Sequence, residues 1–128
     1  GVLQIGIASD GETIFEIPEE SPDYGLKVAA YYYWIYPGVM LNFYPWGLSV
    51  NLVLPLSVDR TRIEYYGFVW DKKFLGKGAG GDLDKVEEED QFVVESTQRG
   101  VSSATYERGR YSPSKEIGVH HFHQMLSS

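Results

Sequence analysis

The sequence predicts an α+β fold, with an antiparallel sheet first and helices packed on it afterwards. Three observations carry that reading. Residues 28–55 hold the strongest β signal, rich in Tyr, Val, Leu and Trp and cut by short turns. Residues 82–99 carry apolar side chains at helical spacing. The pair Ser112-Pro113 then opens a last helical stretch. Short connections between successive strands favour a meander, and the length suits a single domain over residues 1–128.

Taken in order, residues 2–8 and 12–17 alternate weakly around Asp10-Gly11, which reads as a hairpin. Ser21, Pro22, Asp23 and Gly25 mark a loop. Pro37-Gly38 and Tyr44-Pro45-Trp46-Gly47 divide residues 28–55 into about three strands, the last pair joined by a tight turn. Leu48, Val50, Leu52 and Leu54 alternate with Ser49, Asn51 and Val53, so one face of that strand is expected to be core. Residues 57–60 turn the chain into a further strand over 61–70. The loop over 71–81 holds Gly76, Gly78, Gly80 and Gly81 but lacks both GxxxxGK[ST] and GxGxxG, so it reads as a flexible connection or lid. Asp82 is the expected N-cap of the helix that follows and Gly100 its C′ residue. Residues 101–111 read as irregular and basic. The final helix, begun at Ser112-Pro113, carries Val119, Phe122 and Leu126 on one face.

Composition excludes several function classes. The net charge is −7, much of it in the acidic stretch from Asp82 to Asp90, which argues against a nucleic-acid partner. Without cysteine there is no disulfide framework, no thiol nucleophile and no thiolate for an iron–sulfur cluster. Residues 28–58 are interrupted by Pro37, Asn42, Pro45, Asn51 and Pro55, so no stretch suits a membrane span. No signal peptide is visible, and a cytoplasmic location is the expectation. The chain opens on Gly1 within strand-like sequence, as a fragment or processed product would.

Asp90 is the most informative residue. At about 100° per residue it falls amid an apolar stripe of Leu83, Val86, Val93, Val94 and Thr97. A buried, unpaired carboxylate costs several kcal/mol. Such a residue is therefore paired with an arginine, capped by amides, or serves as a metal ligand or catalytic acid. All the histidines cluster as His120, His121 and His123. His120 and His123 share a helical face and could meet a metal, leaving open a triad with Asp90, but their three-residue spacing without an accompanying Glu or Cys favours a structural or solvated role. No GxSxG elbow surrounds any serine, and one acidic helix is a poor source of the opposed carboxylates of a glycosidase.

Four ordered segments carry a resemblance. They are residues 36–44 (YPGVMLNFY), 55–61 (PLSVDRT), 89–100 (EDQFVVESTQRG) and 108–113 (RGRYSP), the last followed by Glu116 and residues 118–123 (GVHHFH). From about Tyr31 to the C-terminus the chain resembles the catalytic domain of Rieske-type ring-hydroxylating oxygenase large subunits. The resemblance implies a helix-grip (SRPBCC) fold, here the C-terminal portion of the domain. It implies that Asp90, or Glu89 one register away, is the carboxylate ligand of a mononuclear Fe(II) whose two histidine ligands lie upstream. No histidine precedes Tyr31 here, and the family's [2Fe–2S] Rieske domain needs cysteines that this chain lacks. The implied reaction is hydroxylation or demethylation of a small organic, aromatic substrate with O₂. Electrons would come from a reductase or ferredoxin, and the assembly would be a homotrimer. Met40, Asn42, Phe43, Tyr66, Phe68 and Trp70, on strands before the Asp90 helix, are the candidate pocket residues. The alternatives are a metal-free helix-grip module holding a small apolar ligand and a structural remnant that pairs through its sheet edges.

Overall fold

A computed structural model describes residues 2–76 and 83–128, with the backbone alone for residues 83–87. The elements are β1 (Val2–Ile7), β2 (Val28–Ile35), β3 (Val39–Tyr44), β4 (Gly47–Ser57), β5 (Arg60–Val69), α1 (Leu83–Val101) and α2 (Ile117–Ser127). The chain divides into two compact units, Gly1–Leu83 and Asp84–Ser128. The class is α+β, as the order of strands and helices predicts.

The first unit is a five-stranded antiparallel meander in the order β1-β2-β3-β4-β5. Pro and Gly mark the β2–β3 and β3–β4 turns, and Val58-Asp59 makes the β4–β5 turn. The Tyr36–Pro37 peptide is cis, and the Gly38 carbonyl accepts from the Val53 amide at 2.7 Å, extending the β3–β4 ladder past the end of β3. Pro45 and Trp46 alone separate the paired residues Tyr44 and Gly47. At the other end of β4 the register shifts between Pro55 and Ser57, and the Ser57 hydroxyl donates to the Asp59 carboxylate at 2.7 Å within the turn into β5.

The expected first hairpin is half right. Its turn exists: the Ser9 amide donates to the Glu12 carboxylate at 2.6 Å and the Glu12 amide to the Ser9 carbonyl at 3.3 Å. Residues 12–17 form no strand, however, and β1 pairs with β2 through Val2↔Trp34 to Gly6↔Ala30. The physical reason is competition for one ladder. The aromatic β2 offers β1 long cross-strand partners, whereas residues 12–17 contribute the Phe15 amide to the Val28 carbonyl at 2.9 Å and the Phe15 ring against Tyr31. A second anchor of this loop is the Tyr31 hydroxyl, which donates to the Asp23 carboxylate at 3.0 Å.

Burial of the phenol, and then the Asp23 carboxylate beside it, push the Tyr31 pKa above the ordinary tyrosine value. A raised folded-state pKa means that the contact stabilises the fold below pH ~10 and is lost as pH rises through the higher folded midpoint. Tyr31→Phe is expected to lower stability by about 0.5–1.5 kcal/mol at neutral pH. It should also remove one component that titrates above the ordinary tyrosine range from the phenolate absorbance titration; loss of a component within the ordinary range instead would show the contact absent in solution.

One face of β4 is covered, and it is the Ser49 face rather than the leucine face. Leu48, Val50, Leu52 and Leu54 are half-buried, whereas Ser49, between them on the other face, is only 4% exposed. Val28 and Ala30 are the buried hydrophobic residues among those described. The register explains which face is covered. Pairing aligns Gly6 with Ala30, and Asn42 with Ser49 and Gly67, so small residues gather on the Ser49 face. Larger rings fold down over them: a Cβ on Gly6 would lie 3.1 Å from the Tyr32 ring.

In the second unit α1 runs on to Val101, so Gly100 lies inside the helix rather than at C′. Gly100 keeps a negative φ. The helix end is held instead by Ser102, whose amide and hydroxyl both donate to the Gln98 carbonyl, at 3.1 and 2.7 Å. The start of α2 is also displaced, to Ile117 with Glu116 as cap. The Glu116 carboxylate accepts from the Ser112 amide at 2.6 Å and the Glu116 amide donates back to the Ser112 carbonyl. That reciprocal pair closes residues 112–116 into a single separate turn, and the regular helix begins only after it. Asp82 as N-cap and the glycines at 78, 80 and 81 lie outside the described residues, as do the side chains of Leu83 and Val86.

Candidate functional site

Asp90 lies well inside α1, one turn before Val93 and Val94 and two before Thr97, so helical geometry puts it on the face they share. That face is not buried within its own unit: Val93 and Val94 are exposed, as are Glu89 and Asp90. The unit contains no sheet among its described residues against which the stripe could pack. Among the described residues no arginine or backbone amide is recorded pairing with the Asp90 carboxylate. The neighbouring polar groups bond among themselves, Gln91 to Glu95 at 2.9 Å and Arg99 to Ser96 at 2.9 Å.

His120 and His123 do share one face of α2, and what joins them is Tyr111. Its ring lies 5.0 Å from that of His120 and 5.6 Å from that of His123, and its hydroxyl hydrogen-bonds to His123 Nδ1. Among the described residues no three His, Cys, Asp or Glu side chains gather as a metal-binding group. The self-contained triad of Asp90, His120 and His123 is therefore not assembled in this unit.

The sheet sorts the candidate pocket residues onto two faces. Tyr31↔Phe43, Phe43↔Leu48, Leu48↔Phe68 and Val50↔Tyr66 put Phe43, Tyr66 and Phe68 on the leucine face. On that face the Tyr66 hydroxyl donates to Glu64 at 2.9 Å, and this hydrogen bond is the main cause of its raised pKa. Met40 and Asn42 lie on the opposite face, paired with Asn51 and Ser49. Trp70 sits just past β5; its backbone amide donates to the Trp46 carbonyl at 3.3 Å and its indole N–H to the Tyr44 carbonyl at 3.4 Å. The six residues therefore do not form one wall.

The Met40–Asn42 face is the chemically distinctive one. A row across all five strands runs Gln4, Tyr32, Asn42, Ser49, Gly67, and the next runs Val2, Trp34, Met40, Asn51, Tyr65. No charged side chain stands in either row. Its polar centre is the Ser49 hydroxyl donating to Asn51 Oδ1 at 3.1 Å. At one end the rings of Tyr32 and Tyr44 meet edge to face, 6.1 Å apart at 82°, and Tyr44 stacks flat on Trp46 at 4.7 Å. Tyr32, Tyr44, Trp46, Ser49 and Asn51 were not singled out from the sequence. The two-residue turn at Pro45-Trp46 would have found them, because it fixes the β3–β4 register and hence which residues share a face.

An antiparallel sheet followed by a long helix with a carboxylate on its apolar face is the arrangement expected of an oxygenase catalytic domain, and the comparisons agree. The chain belongs to the ring-hydroxylating oxygenase alpha subunits: residues 10–128 match the family described as the ring hydroxylating alpha subunit, catalytic domain. Among individual proteins it is 38% identical over 103 residues to the chloroplastic choline monooxygenase of Arabidopsis thaliana, covering 76% of this chain and 24% of that protein. It is 33% identical over 106 residues to the choline monooxygenase of Beta vulgaris, covering 79% and 24%. The carnitine monooxygenase oxygenase subunit of Escherichia coli K12 is 28% identical over 137 residues, covering 98% and 35%. The chain thus spans about a quarter of the length of the choline monooxygenases it matches. No solved structure matches it.

This family typically uses non-haem iron and a Rieske cluster. The hard oxygen donors of Asp90, exposed on α1, suit Fe(II) as one ligand of a set. With no cysteine, the chain does not offer the thiolates of a Rieske cluster.

Proposed function

We propose that this chain is the C-terminal portion of one catalytic domain, of helix-grip type, in a Rieske oxygenase that oxidises a small quaternary ammonium compound of the choline or carnitine kind. The observation that carries this reading is the family match across residues 10–128, joined to the names of the relatives. Those names move the substrate away from the aromatic compound that the family resemblance implied.

In this reading Asp90, with Glu89 as its register neighbour, supplies the carboxylate ligand, and two histidines come from elsewhere in the protein. The iron, when bound, supplies the site at which O₂ is activated beside the substrate. The part played by α1 is to carry that carboxylate at the centre of its apolar face, one turn before the exposed Val93 and Val94. Electrons reach the site from a reductase or ferredoxin, and a trimer is the proposed assembly. No observation favours the metal-free binding module.

The test is turnover by the full-length oxygenase with its reductase, O₂ and either choline or carnitine, compared with a neutral aromatic. Product from choline or carnitine is expected; turnover of the neutral aromatic alone would sink the substrate assignment. The isolated 128-residue chain, supplied with iron, is expected to oxidise neither.

A further inference from the structure

We propose that the Ser49 face of the sheet recognises the substrate in two parts. The rings of Tyr32, Tyr44 and Trp46 would hold a quaternary ammonium, and Asn42, Ser49 and Asn51 the hydroxyl or carboxylate end. The assignment rests on the quaternary ammonium reading above and adds the residues that would make it specific.

The chemistry of the ligand selects this face. A quaternary ammonium carries a full charge but no N–H, so hydrogen-bond acceptors gain little from it, whereas the negative faces of aromatic rings attract it directly. Tyr32 and Tyr44 stand at 82° to one another, two walls of a corner. Trp46 lies parallel to Tyr44 and backs the second wall. All three rings are half-buried, which strengthens the attraction by limiting the water that competes for the cation.

The polar part follows from register. Asn42 lies opposite Ser49, and Asn51 follows two residues along the same face of β4, so two amides and a hydroxyl form one patch. The Ser49 hydroxyl donates to Asn51 Oδ1, which leaves the Asn51 amide N–H groups directed away from that bond. The patch is uncharged and adjoins the rings, because Asn42 pairs with Tyr32 across β2 and β3. The leucine face also holds an edge-to-face pair, Tyr33 and Phe43 at 5.8 Å and 86°, but no uncharged polar patch adjoins it; its polar end is the ion pair of Arg62 and Glu64 at 3.1 Å.

The experiment is calorimetric titration of the iron-loaded full-length oxygenase, without reductant, with choline and with its neutral isostere 3,3-dimethylbutan-1-ol. Choline is expected to bind roughly fivefold or more tightly than the isostere. Tyr32→Leu and Tyr44→Leu should each erode that ratio, while Tyr32→Phe and Tyr44→Phe keep it, since phenylalanine retains the π face. A variant that merely loosens the fold weakens both ligands alike and leaves the ratio intact. Asn51→Ala should weaken choline but not tetramethylammonium, which has no hydroxyl to hold. Choline preference that survives both leucine variants would overturn the site while leaving the quaternary ammonium substrate standing. Equal binding of choline and its isostere by the unaltered protein, with no turnover of choline or carnitine, would overturn the substrate reading itself.

Discussion

Asp90→Ala in the full-length oxygenase is expected to strip the protein of its mononuclear iron and of turnover while leaving it folded. Removing residues that merely orient a metal ligand commonly costs 10–100-fold in affinity or activity, so loss of the ligand itself should exceed about 100-fold. The fold should survive, because Asp90 is an exposed helix residue with no recorded partner among the described residues, and alanine is the better helix former. Glu89→Ala serves as the register control, since Glu89 points about 100° away on α1 and should leave iron loading unchanged. Iron analysis with circular dichroism on the same samples decides the matter. An Asp90→Ala protein that keeps its iron, or that loses its helix along with it, would return Asp90 to a structural role. Iron lost in Glu89→Ala and kept in Asp90→Ala would move the ligand by one residue.

The second large effect lies at the β3–β4 turn. A Cβ on Gly47 would sit 2.0 Å from the Phe68 carbonyl oxygen and 3.1 Å from the Val69 Cα, both backbone atoms held by the β4–β5 ladder. No side-chain rotation relieves that contact, so Gly47→Ala must push β4 and the edge strand β5 apart or break the turn. We expect a loss of about 3 kcal/mol, read as a fall in the urea midpoint. Gly67→Ala is the matched comparison. It stands on the same sheet with nothing within 4 Å of its added methyl. A strand-interior glycine with open space costs about 0.5–1 kcal/mol relative to alanine, so Gly67→Ala should be neutral or stabilising. Equal responses of the two variants would mean that the close approach of β5 to Gly47 is absent in solution.

Much of the sheet was legible because proline and glycine punctuate it. Pro37-Gly38 and Pro45-Trp46 fall between strands in the structure, as does Val58-Asp59, which the Ser57–Arg60 stretch marked without either residue. The readings that failed depended on competition. The Asp10-Gly11 turn forms, but the strand predicted after it loses to Tyr-rich β2, and no local pattern in residues 12–17 reports that contest. The leucines of β4 alternate as a core strand should, yet alternation shows that two faces differ and not which one is covered. Gly100 and Ser112-Pro113 carried the usual helix-boundary signals. At the first end the Ser102 hydroxyl and amide both hold the Gln98 carbonyl past Gly100; at the second, residues 112–116 close one turn that does not continue into α2.

The sequence by itself determined the class, an antiparallel sheet followed by helices, and the central place of Asp90 on the apolar face of α1. Both follow from periodicity along one element, which the chain carries locally. Only the tertiary structure decided that Met40 and Asn42 share a face with Ser49 and Tyr32 while Phe43, Tyr66 and Phe68 turn the other way. Strand register is a relation between segments far apart in sequence. A shift of one residue reverses every side chain, so the pairing of backbones, rather than the order of residues, separated the two faces.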